Sequence, residues 1–324
     1  MLIAFKLKLA LACAAGLAGP LAMVPLLSDS SRHNLAAGRP IVIEMVEVAA
    51  GTTSYRAAGD FTRSGQVAEA PLLRLHFPKP LSIMKHQVSS ADYQACVDDG
   101  ACPALDRDVI VAIDRPAVEV NWHDANAYAA WLSRKTGEHY RLPTDEEWAF
   151  AAGSKFVDDG VPVDLDDPAK RWIARYERET ARDADSATRP FGTFGVNENG
   201  LSDLAGNVWE WTTTCFDRTA LDEQGHAVKT NANCGVRIAE GAHRAYVTDF
   251  VRDARAGGCA AGTPPSNLGF RLVRDEPSLA DRIAAKLGKS RLVGRWARNF
   301  NGVGEIFRHG PPRLGMVGAL QKKG

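Results

Sequence analysis

The chain has 324 residues, of which 45% are hydrophobic and 24% charged, and its 39 Lys and Arg balance its 39 Asp and Glu to a formal net charge of zero. This composition is typical of a globular protein that buries a core, and the length suits one large domain or two small ones. A balanced charge gives no global field that attracts nucleic acid or acidic ligands, so no nucleic-acid partner is expected. The 29 Gly and 17 Pro predict an irregular, loop-rich fold.

The N-terminus has the pattern of an export signal. Lys6 and Lys8 precede an apolar run of 19 residues, Leu9 to Leu27, which is interrupted by two prolines. A basic start followed by an apolar segment is typical of a secretory signal, and about 20 apolar residues are enough to anchor a chain in a membrane. Residues 1 to 30 are therefore expected to be either a cleaved signal peptide or a retained inner-membrane anchor. Both outcomes place the rest of the protein in the periplasm or outside the cell.

Cysteine usage agrees with an oxidising compartment, where disulfides persist. Besides Cys13 in the apolar N-terminal segment, the chain has five cysteines, so one thiol is left over when two pairs form. Residues 97 to 100 favour a turn between Cys96 and Cys102. This turn brings the two cysteines within reach of a disulfide.

The first elements in chain order are strands and two helices. Residues 41 to 59 alternate like a strand and end in turn residues, and residues 81 to 100 predict a strand followed by a short helix capped by Ser89 or Ser90. A strand from residue 116 is expected to lead into a helix that begins near Asp124 and ends at Gly137. The helix places four apolar residues on one face, namely Ala125, Tyr128, Ala129 and Leu132.

A further helix start follows residue 140. Thr144 as N-cap and Glu147 three residues later form a capping box, and Trp148 is expected to face the core. Residues 154 to 199 show little periodicity. Residues 237 to 275 are interpreted as a loop-rich run that closes on a strand from Gly269 to Val273.

The C-terminal residues 276 to 324 have a different composition, with ten Lys or Arg against three Asp or Glu. One interpretation of this basic extension is a solvated tail that packs loosely on the domain. The other is a docking segment for an acidic partner or an anionic membrane surface.

Four sequence blocks then occur in a characteristic order. They are PAVEVNWHDANAYAAWL, YRLPTDEEWAFAA, NENGLSDLAGNVWEWT and SNLGFRLV. In this order they resemble the formylglycine-generating enzyme, or sulfatase-modifying factor, family, and the resemblance covers residues 38 to 275. It implies a single loop-rich domain with the irregular α/β, C-type-lectin-like fold of that family, stabilised by calcium. It also implies a disulfide between Cys215 and Cys234, beside one between Cys96 and Cys102.

The third block contains the implied calcium site, because the matching family loop wraps a calcium ion. By position, the ligands are the carboxylates of Asp203 and Glu210 and the carbonyl oxygens of Gly206 and Val208. Calcium binds carboxylate and carbonyl oxygens, and alternating residues of an extended segment point to one side. The alternative is a turn whose carboxylates accept hydrogen bonds from backbone N–H groups.

Copper is not expected, although enzymes of this family bind it. They use two cysteines, five residues apart, after a Gly-Gly-Ser turn, and they oxidise a substrate cysteine to formylglycine. The matching turn here is Glu240, Gly241 and Ala242, and the two cysteine positions hold Ala245 and Phe250. Neither residue supplies the thiolate that Cu(I) prefers. The standard oxidation is therefore not expected in this chain.

Other groups in the same cleft are candidates for different chemistry. The resemblance places Trp209 in the wall of the cleft, and a histidine near an aspartate can act in general acid–base catalysis. The alternative for the polar groups is loop closure through hydrogen bonds to backbone, and for Cys259 it is an inert buried thiol. The catalytic candidates are His243, Asp249, Arg252, Arg255, Cys259 and Trp209.

Among branches of the family, the chain most resembles the exported accessory proteins found with copper nitrite reductases. It shares with them a single exported domain and the loss of both cysteines. This resemblance implies an accessory or maturation role towards another exported protein. Two alternatives stay open: a non-catalytic module that holds an extended segment of a partner, and a diverged oxidase that uses Cys259.

Overall fold

The computed structural model describes residues 41–105, 110–158, 173, 187–204, 206–253 and 267–276. The expected signal or anchor at residues 1 to 30, the basic extension after residue 276, Arg255 and Cys259 all lie outside these residues. Within the described ranges, no helix is both long enough and apolar enough to cross a membrane. The described residues belong to one compact unit.

One antiparallel sheet joins the beginning of the described domain to its end. Over the described residues its order is β1 (Met45–Val48), β6 (Leu81–Met84), β12 (Val273–Asp275) and β7 (His139–Arg141). In its centre Ile83 pairs with Val273, and both side chains are fully buried. The last strand therefore closes the fold against the early strands.

A second sheet is built on a long hairpin of β8 (Trp209–Leu221) and β9 (Ala227–Glu240). In the described part of the chain the other strands of this sheet are β3 (Asp60–Arg63), β4 (Gln66–Ala68), β10 (Ala245–Thr248) and β11 (Leu268–Gly269). The order is β10, β9, β8, β3, β4, and β11 lies parallel to the start of β8. Strands β2 (Gly51–Arg56) and β5 (Leu72–Phe77) form a separate antiparallel pair. The hairpin and β10 thus place the strands between residues 209 and 248 in one sheet.

Side-chain caps define where the helices begin. The described helices are α1 (Ser90–Asp98), α2 (Trp122–Thr136) and α3 (Asp145–Ala152), followed by a short 3-10 turn, Gly153–Lys155. The expected cap at Ser89 and the capping box of Thr144 with Glu147 are confirmed. Helix α2 begins two residues before the expected Asp124, because Asn121 and Asp124 cap each other reciprocally.

The apolar face expected for α2 is confirmed by burial. Ala125, Tyr128, Ala129 and Leu132 are all inside the main core cluster, and Gly137 ends the helix in a left-handed conformation. Trp148 is fully buried, as expected, and Trp211 is fully buried as well. The mixed, loop-rich α/β class is confirmed as well.

Three expectations about strands are wrong. Residues 116 to 120 form no strand, and only a single bridge joins Pro116 to Ser89. Glu119 there has a φ of 59°, which interrupts extended backbone. Residues 237 to 240 and 245 to 248, interpreted as loop, belong to β9 and β10.

The expected strand from Gly269 to Val273 is divided between two sheets. Leu268 and Gly269 pair with β8, whereas the carbonyl oxygens of Phe270 and Leu272 accept hydrogen bonds from Val88 and Met84. The chain crosses from one sheet to the other at this point. Residues 270 to 272 are therefore positioned to tie the two sheets together.

Candidate functional site

The loop from residue 200 to residue 208 is organised by Asp203. Its carboxylate accepts hydrogen bonds from the backbone N–H groups of Gly192 at 2.6 Å and Phe194 at 2.8 Å. Asp203 itself has a φ of 61° and is fully buried. The carboxylate therefore fastens the turn at residues 192 to 195 onto this loop, which is the alternative considered for the third sequence block.

Glu210 lies at the centre of a buried polar cluster, which we call the Glu210 cluster. Its Oε1 accepts hydrogen bonds from Gln87 Nε2 at 2.8 Å and Arg271 Nη2 at 2.7 Å. Its Oε2 accepts from Trp148 Nε1 at 2.8 Å and Arg271 Nε at 2.6 Å. A carboxylate offers about four acceptor positions, so all of them are occupied.

Each nitrogen of the Arg271 guanidinium also donates hydrogen bonds. The hydrogen bonds that do not go to Glu210 end on the carbonyl oxygens of Met84, Lys85 and Ser202, at 3.1, 2.9 and 2.8 Å. The side chain is fully buried, and its charge is balanced by Glu210. Arg271 therefore ties the last part of the described chain to neighbouring loops.

The four implied calcium ligands are not arranged as an open oxygen cradle. Val208 donates its N–H to the carbonyl oxygen of Gly206, Asn207 has a φ of 70°, and β8 begins only at Trp209, so residues 206 to 208 are not extended. The acceptor positions of Glu210 are already filled, and the described residues contain no group of three or more His, Cys, Asp or Glu side chains that converge on one point. As folded here, these residues do not fit a calcium ion at Glu210. Calcium binding is therefore a prediction of the resemblance alone, and a calcium titration tests it.

A second buried charged cluster, the Arg244 cluster, lies where β9 meets α3. The guanidinium of Arg244 contacts Glu240 Oε1 at 2.9 Å and Asp145 Oδ2 at 3.0 Å. The hydroxyl of Tyr55 donates to the same Asp145 oxygen at 2.6 Å. The three charged side chains are fully enclosed, with relative exposures of 0%. Two carboxyl groups thus share one guanidinium without solvent.

A proton resolves this imbalance of charge. Burial, and after it the neighbouring Asp145 carboxylate, raises the pKa of Glu240 well above its ordinary value. Asp145 Oδ1 and Glu240 Oε2 are both buried and accept no hydrogen bond from another group. A neutral Glu240 leaves one carboxylate facing one guanidinium, which is the stable arrangement for a site without water.

The turn at residues 240 to 243 packs against Trp209. The indole Nε1 of Trp209 donates to the carbonyl oxygen of His243 at 3.1 Å. The indole and the imidazole ring of His243 pack edge to face, with their centres 5.5 Å apart. A Cβ on Gly241 would lie 3.1 Å from the indole, so this close approach favours glycine. The nearness of Trp209 to the implied cleft turn agrees with the resemblance.

The remaining described cleft candidates separate into two pairs. Asp249 contacts His123 Nε2 at 3.2 Å, and Arg252 contacts Asp124 at 2.9 Å. His123 is 60% exposed in this pair. Sequence reasoning missed His123 as a functional candidate, although it lies in the first sequence block that carries the resemblance. The structure therefore presents a His–Asp pair at the surface.

The two positions at which the resemblance implies the family cysteines differ strongly in exposure. Ala245 is 8% exposed and pairs with Ala239 in the sheet, whereas Phe250 follows β10 and is 68% exposed. The expected disulfides Cys96–Cys102 and Cys215–Cys234 are both formed. Every cysteine in the described ranges is therefore bonded to another cysteine.

Comparison with known proteins identifies one family model. The model described as "Sulfatase-modifying factor enzyme 1-like domain" matches residues 34–276. A solved structure, that of PvdO from Pseudomonas aeruginosa, is 24% identical, with a TM-score of 0.46, and the match covers 72% of this chain and 94% of that chain.

Of two similar proteins, one is named as an active enzyme and the other as an inactive one. The formylglycine-generating enzyme of Streptomyces coelicolor is 31% identical over 173 residues, which cover 50% of this chain and 53% of that protein. The inactive C-alpha-formylglycine-generating enzyme 2 of Bos taurus is 32% identical over 178 residues, which cover 48% of this chain and 54% of that protein. The chain spans about half the length of both. Similarity alone thus leaves the reaction unassigned.

Proposed function

The chain belongs to the sulfatase-modifying factor family whose model matches residues 34–276, and from that premise we propose that it acts on another exported protein as an accessory or maturation factor. In this proposal it does not oxidise cysteine to formylglycine in the standard way. The observation that carries the proposal is the pair of side chains at the family cysteine positions, Ala245 and Phe250. A methyl group and a phenyl ring have no lone pair for Cu(I), which prefers thiolates.

The same positions favour recognition of a partner. Phe250 exposes 68% of its surface directly after Asp249, whose carboxylate pairs with His123. We call these three residues the Phe250 surface. An exposed aromatic side chain next to charged groups is typical of the residues that dominate protein interfaces. The Phe250 surface is the proposed contact for the partner.

The location of the partner follows from the N-terminus and the cysteines. The basic and apolar pattern of residues 1 to 30 supports export, and the two disulfides are compatible with an oxidising compartment. The resemblance to accessory proteins of copper nitrite reductases makes such a reductase the first partner to test. The partner is then an exported, copper-containing enzyme.

A binding experiment tests the proposal directly. A tagged full chain is used to capture a copper nitrite reductase from periplasmic extract, and affinity is then measured with the purified pair. Phe250→Ser is expected to weaken binding about thirtyfold, the size expected for loss of an interface hot spot. Leu72→Ser is the matched control, because Leu72 is 64% exposed on β5 and is not part of the Phe250 surface. Equal effects of the two substitutions would contradict the proposed surface.

A measurement of the mass of the partner protein distinguishes a modifying role from a holding or assembly role. A defined mass change on the reductase that depends on this chain supports a modifying role, and binding without a mass change supports a holding or assembly role. Aldehyde formation on a cysteine peptide, together with copper binding that depends on Cys259, would instead establish the diverged oxidase and refute the proposal.

A further inference from the structure

The disulfide Cys215–Cys234 lies in an unusual part of the β8–β9 hairpin. Cys215 is directly opposite Arg237, whereas the next residue, Phe216, is opposite Asn233, so the ladder has a bulge that contains Cys234. The two cysteine Cα atoms are 4.5 Å apart. Cys234 is exposed, and Cys215 is half-buried. The bulge therefore places Cys234 in an exposed part of the hairpin, as bulges commonly redirect side chains.

The other sulfur of this disulfide contacts a cation. Arg237 Nη1 lies 3.0 Å from Cys215 Sγ and also donates to the carbonyl oxygen of Thr213 at 2.8 Å. The guanidinium is 4.0 Å from the centre of the Trp122 ring, whose Nε1 is itself fixed by the carbonyl oxygen of Thr212. A guanidinium held beside a sulfur stabilises the thiolate form of that sulfur.

The second described disulfide has a different environment. Cys96 is 0% exposed and Cys102 is 8% exposed, and both belong to the main core cluster. A soluble thiol reaches neither sulfur without opening the core. Of the two disulfides in the described residues, Cys96–Cys102 is buried in the core. Cys215–Cys234 has one exposed residue, Cys234, and one sulfur, that of Cys215, in contact with Arg237.

We propose that Cys215–Cys234 is a thiol–disulfide exchange site that accepts electrons from cysteine thiols of an exported protein. Attack on a disulfide is fast when the attacked sulfur is accessible and the departing sulfur leaves as a stabilised thiolate. Cys234 meets the first requirement, and Cys215 beside Arg237 meets the second. This activity goes beyond the proposed accessory function and does not depend on it.

The exchange proceeds in two balanced steps. A thiolate of the partner attacks Cys234 Sγ, the bond to Cys215 Sγ breaks, and its electron pair remains on Cys215, where Arg237 stabilises the charge. A second thiolate of the partner then attacks the partner's own sulfur in the mixed disulfide, and Cys234 leaves as a thiolate. The partner dithiol, which has released two protons, becomes a disulfide. Cys215 and Cys234 become a dithiol with two electrons and two protons gained.

Reduction of the full chain by reduced glutathione tests the site, because the shielded disulfide is an internal control. Samples are quenched with acid at intervals, free thiols are alkylated, and peptides are mapped by mass spectrometry. Cys215–Cys234 is expected to open at least about tenfold faster than Cys96–Cys102, with the glutathione adduct on Cys234 and the free, alkylated thiol on Cys215. Equal opening rates, or an adduct mainly on Cys215, would overturn the proposal.

Two substitutions separate the charge of Arg237 from its structural role. Arg237→Gln is expected to slow opening about three- to tenfold, because the departing thiolate loses its cation, and Arg237→Lys is expected to keep most of the wild-type rate. Arg274→Gln, at a half-buried arginine on β12, serves as the control and leaves the rate unchanged. If Arg237→Gln opens as fast as the wild type, the proposed role of the guanidinium is refuted. If that variant does not fold, the adduct position in the wild-type chain still decides the proposal.

Discussion

The Glu210 cluster and the Arg244 cluster show two ways to bury an arginine. In the first, one carboxylate and one guanidinium satisfy each other, and Gln87 and Trp148 fill the remaining acceptor positions of Glu210. In the second, Asp145 and Glu240 share Arg244, and one oxygen of each carboxyl group accepts no hydrogen bond from another group.

The difference between the clusters lies in their charge balance. The Glu210 cluster is neutral with both groups ionised, so it needs no proton. The Arg244 cluster is neutral only when Glu240 is protonated, in line with the raised pKa of that group. The strength of the Arg244 cluster therefore depends on a proton at Glu240.

Removal of the cation from the Glu210 cluster should cause the largest loss of stability. Arg271→Met leaves Glu210 buried and uncompensated and removes the donors to Met84, Lys85 and Ser202. The free energy of unfolding is expected to fall by about 3–5 kcal/mol, as for other broken buried ion pairs. Urea unfolding measures this loss.

Arg274→Met is the matched control for that experiment. Arg274 pairs with Glu47 at 3.4 Å across a partly exposed contact, with side-chain exposures of 35% and 55%. A loss below about 1 kcal/mol is expected there. If Arg271→Met and Arg274→Met lower the free energy of unfolding by similar amounts, Arg271 does not stabilise the Glu210 cluster as proposed.

The same substitution in the two clusters should give different results. Glu210→Gln replaces a carboxylate that accepts four hydrogen bonds and leaves Arg271 without a counter-charge, so a loss of about 2–4 kcal/mol is expected. Glu240→Gln replaces a carboxyl group whose pKa is raised well above its ordinary value, and the amide resembles the protonated form, so a loss of about 1 kcal/mol or less is expected. Urea unfolding of both variants measures the contrast. A larger loss for Glu240→Gln would refute the assignment of the proton.

The pH dependence of stability sharpens the comparison further. A raised pKa in the folded state means that the folded chain binds the Glu240 proton more tightly than the unfolded chain does. This contribution is fully present below the unfolded pKa of about 4.3 and is lost as pH rises from there through the folded pKa, by at most about 1.4 kcal/mol per pH unit. Glu240→Gln lacks this contribution, so its stability relative to the wild type should increase between pH 5 and pH 8.

Urea unfolding of the wild type and Glu240→Gln at several pH values measures that difference. Arg274→Met is a suitable comparison, because Arg274 pairs with Glu47 in a partly exposed contact outside the Arg244 cluster. A constant difference between wild type and Glu240→Gln across this range would contradict a proton on Glu240.

Calcium should have the smallest effect. Because the acceptor positions of Glu210 are occupied by Arg271, Gln87 and Trp148, addition of 1 mM calcium after chelation is expected to change the melting temperature by less than about 2 °C. Thermal unfolding with and without calcium measures the change. Stabilisation by several degrees that is lost in Asp203→Ala would establish calcium binding at this loop and show that the Glu210 cluster rearranges around the ion.

Local features of the fold could be predicted from the sequence. The capping box of Thr144 and Glu147 and the end of α2 at Gly137 depend on residues that are a few positions apart. The buried face of α2 follows from its helical period in the same way. These predictions succeeded because the interactions that decide them lie within one or two turns of chain.

The strands after residue 209 could not be predicted in this way. The long hairpin contains Thr212, Thr213 and Thr214 beside tryptophans, which favour a strand, but this local pattern does not indicate the partner strands. Its strands form because β3, β10 and β11 supply backbone partners from distant parts of the chain. Pairing of this kind is decided by tertiary contacts.

The sequence by itself determined the family, the helix caps and the two disulfides. Only the tertiary structure decided which charges meet: Arg271 with Glu210, Arg244 with Asp145 and Glu240, and Asp249 with His123. The physical reason is distance along the chain. A cap or a helical face depends on near neighbours, whereas the partner of a buried charge is chosen by the packing of the whole domain, which must satisfy every charge that it removes from water.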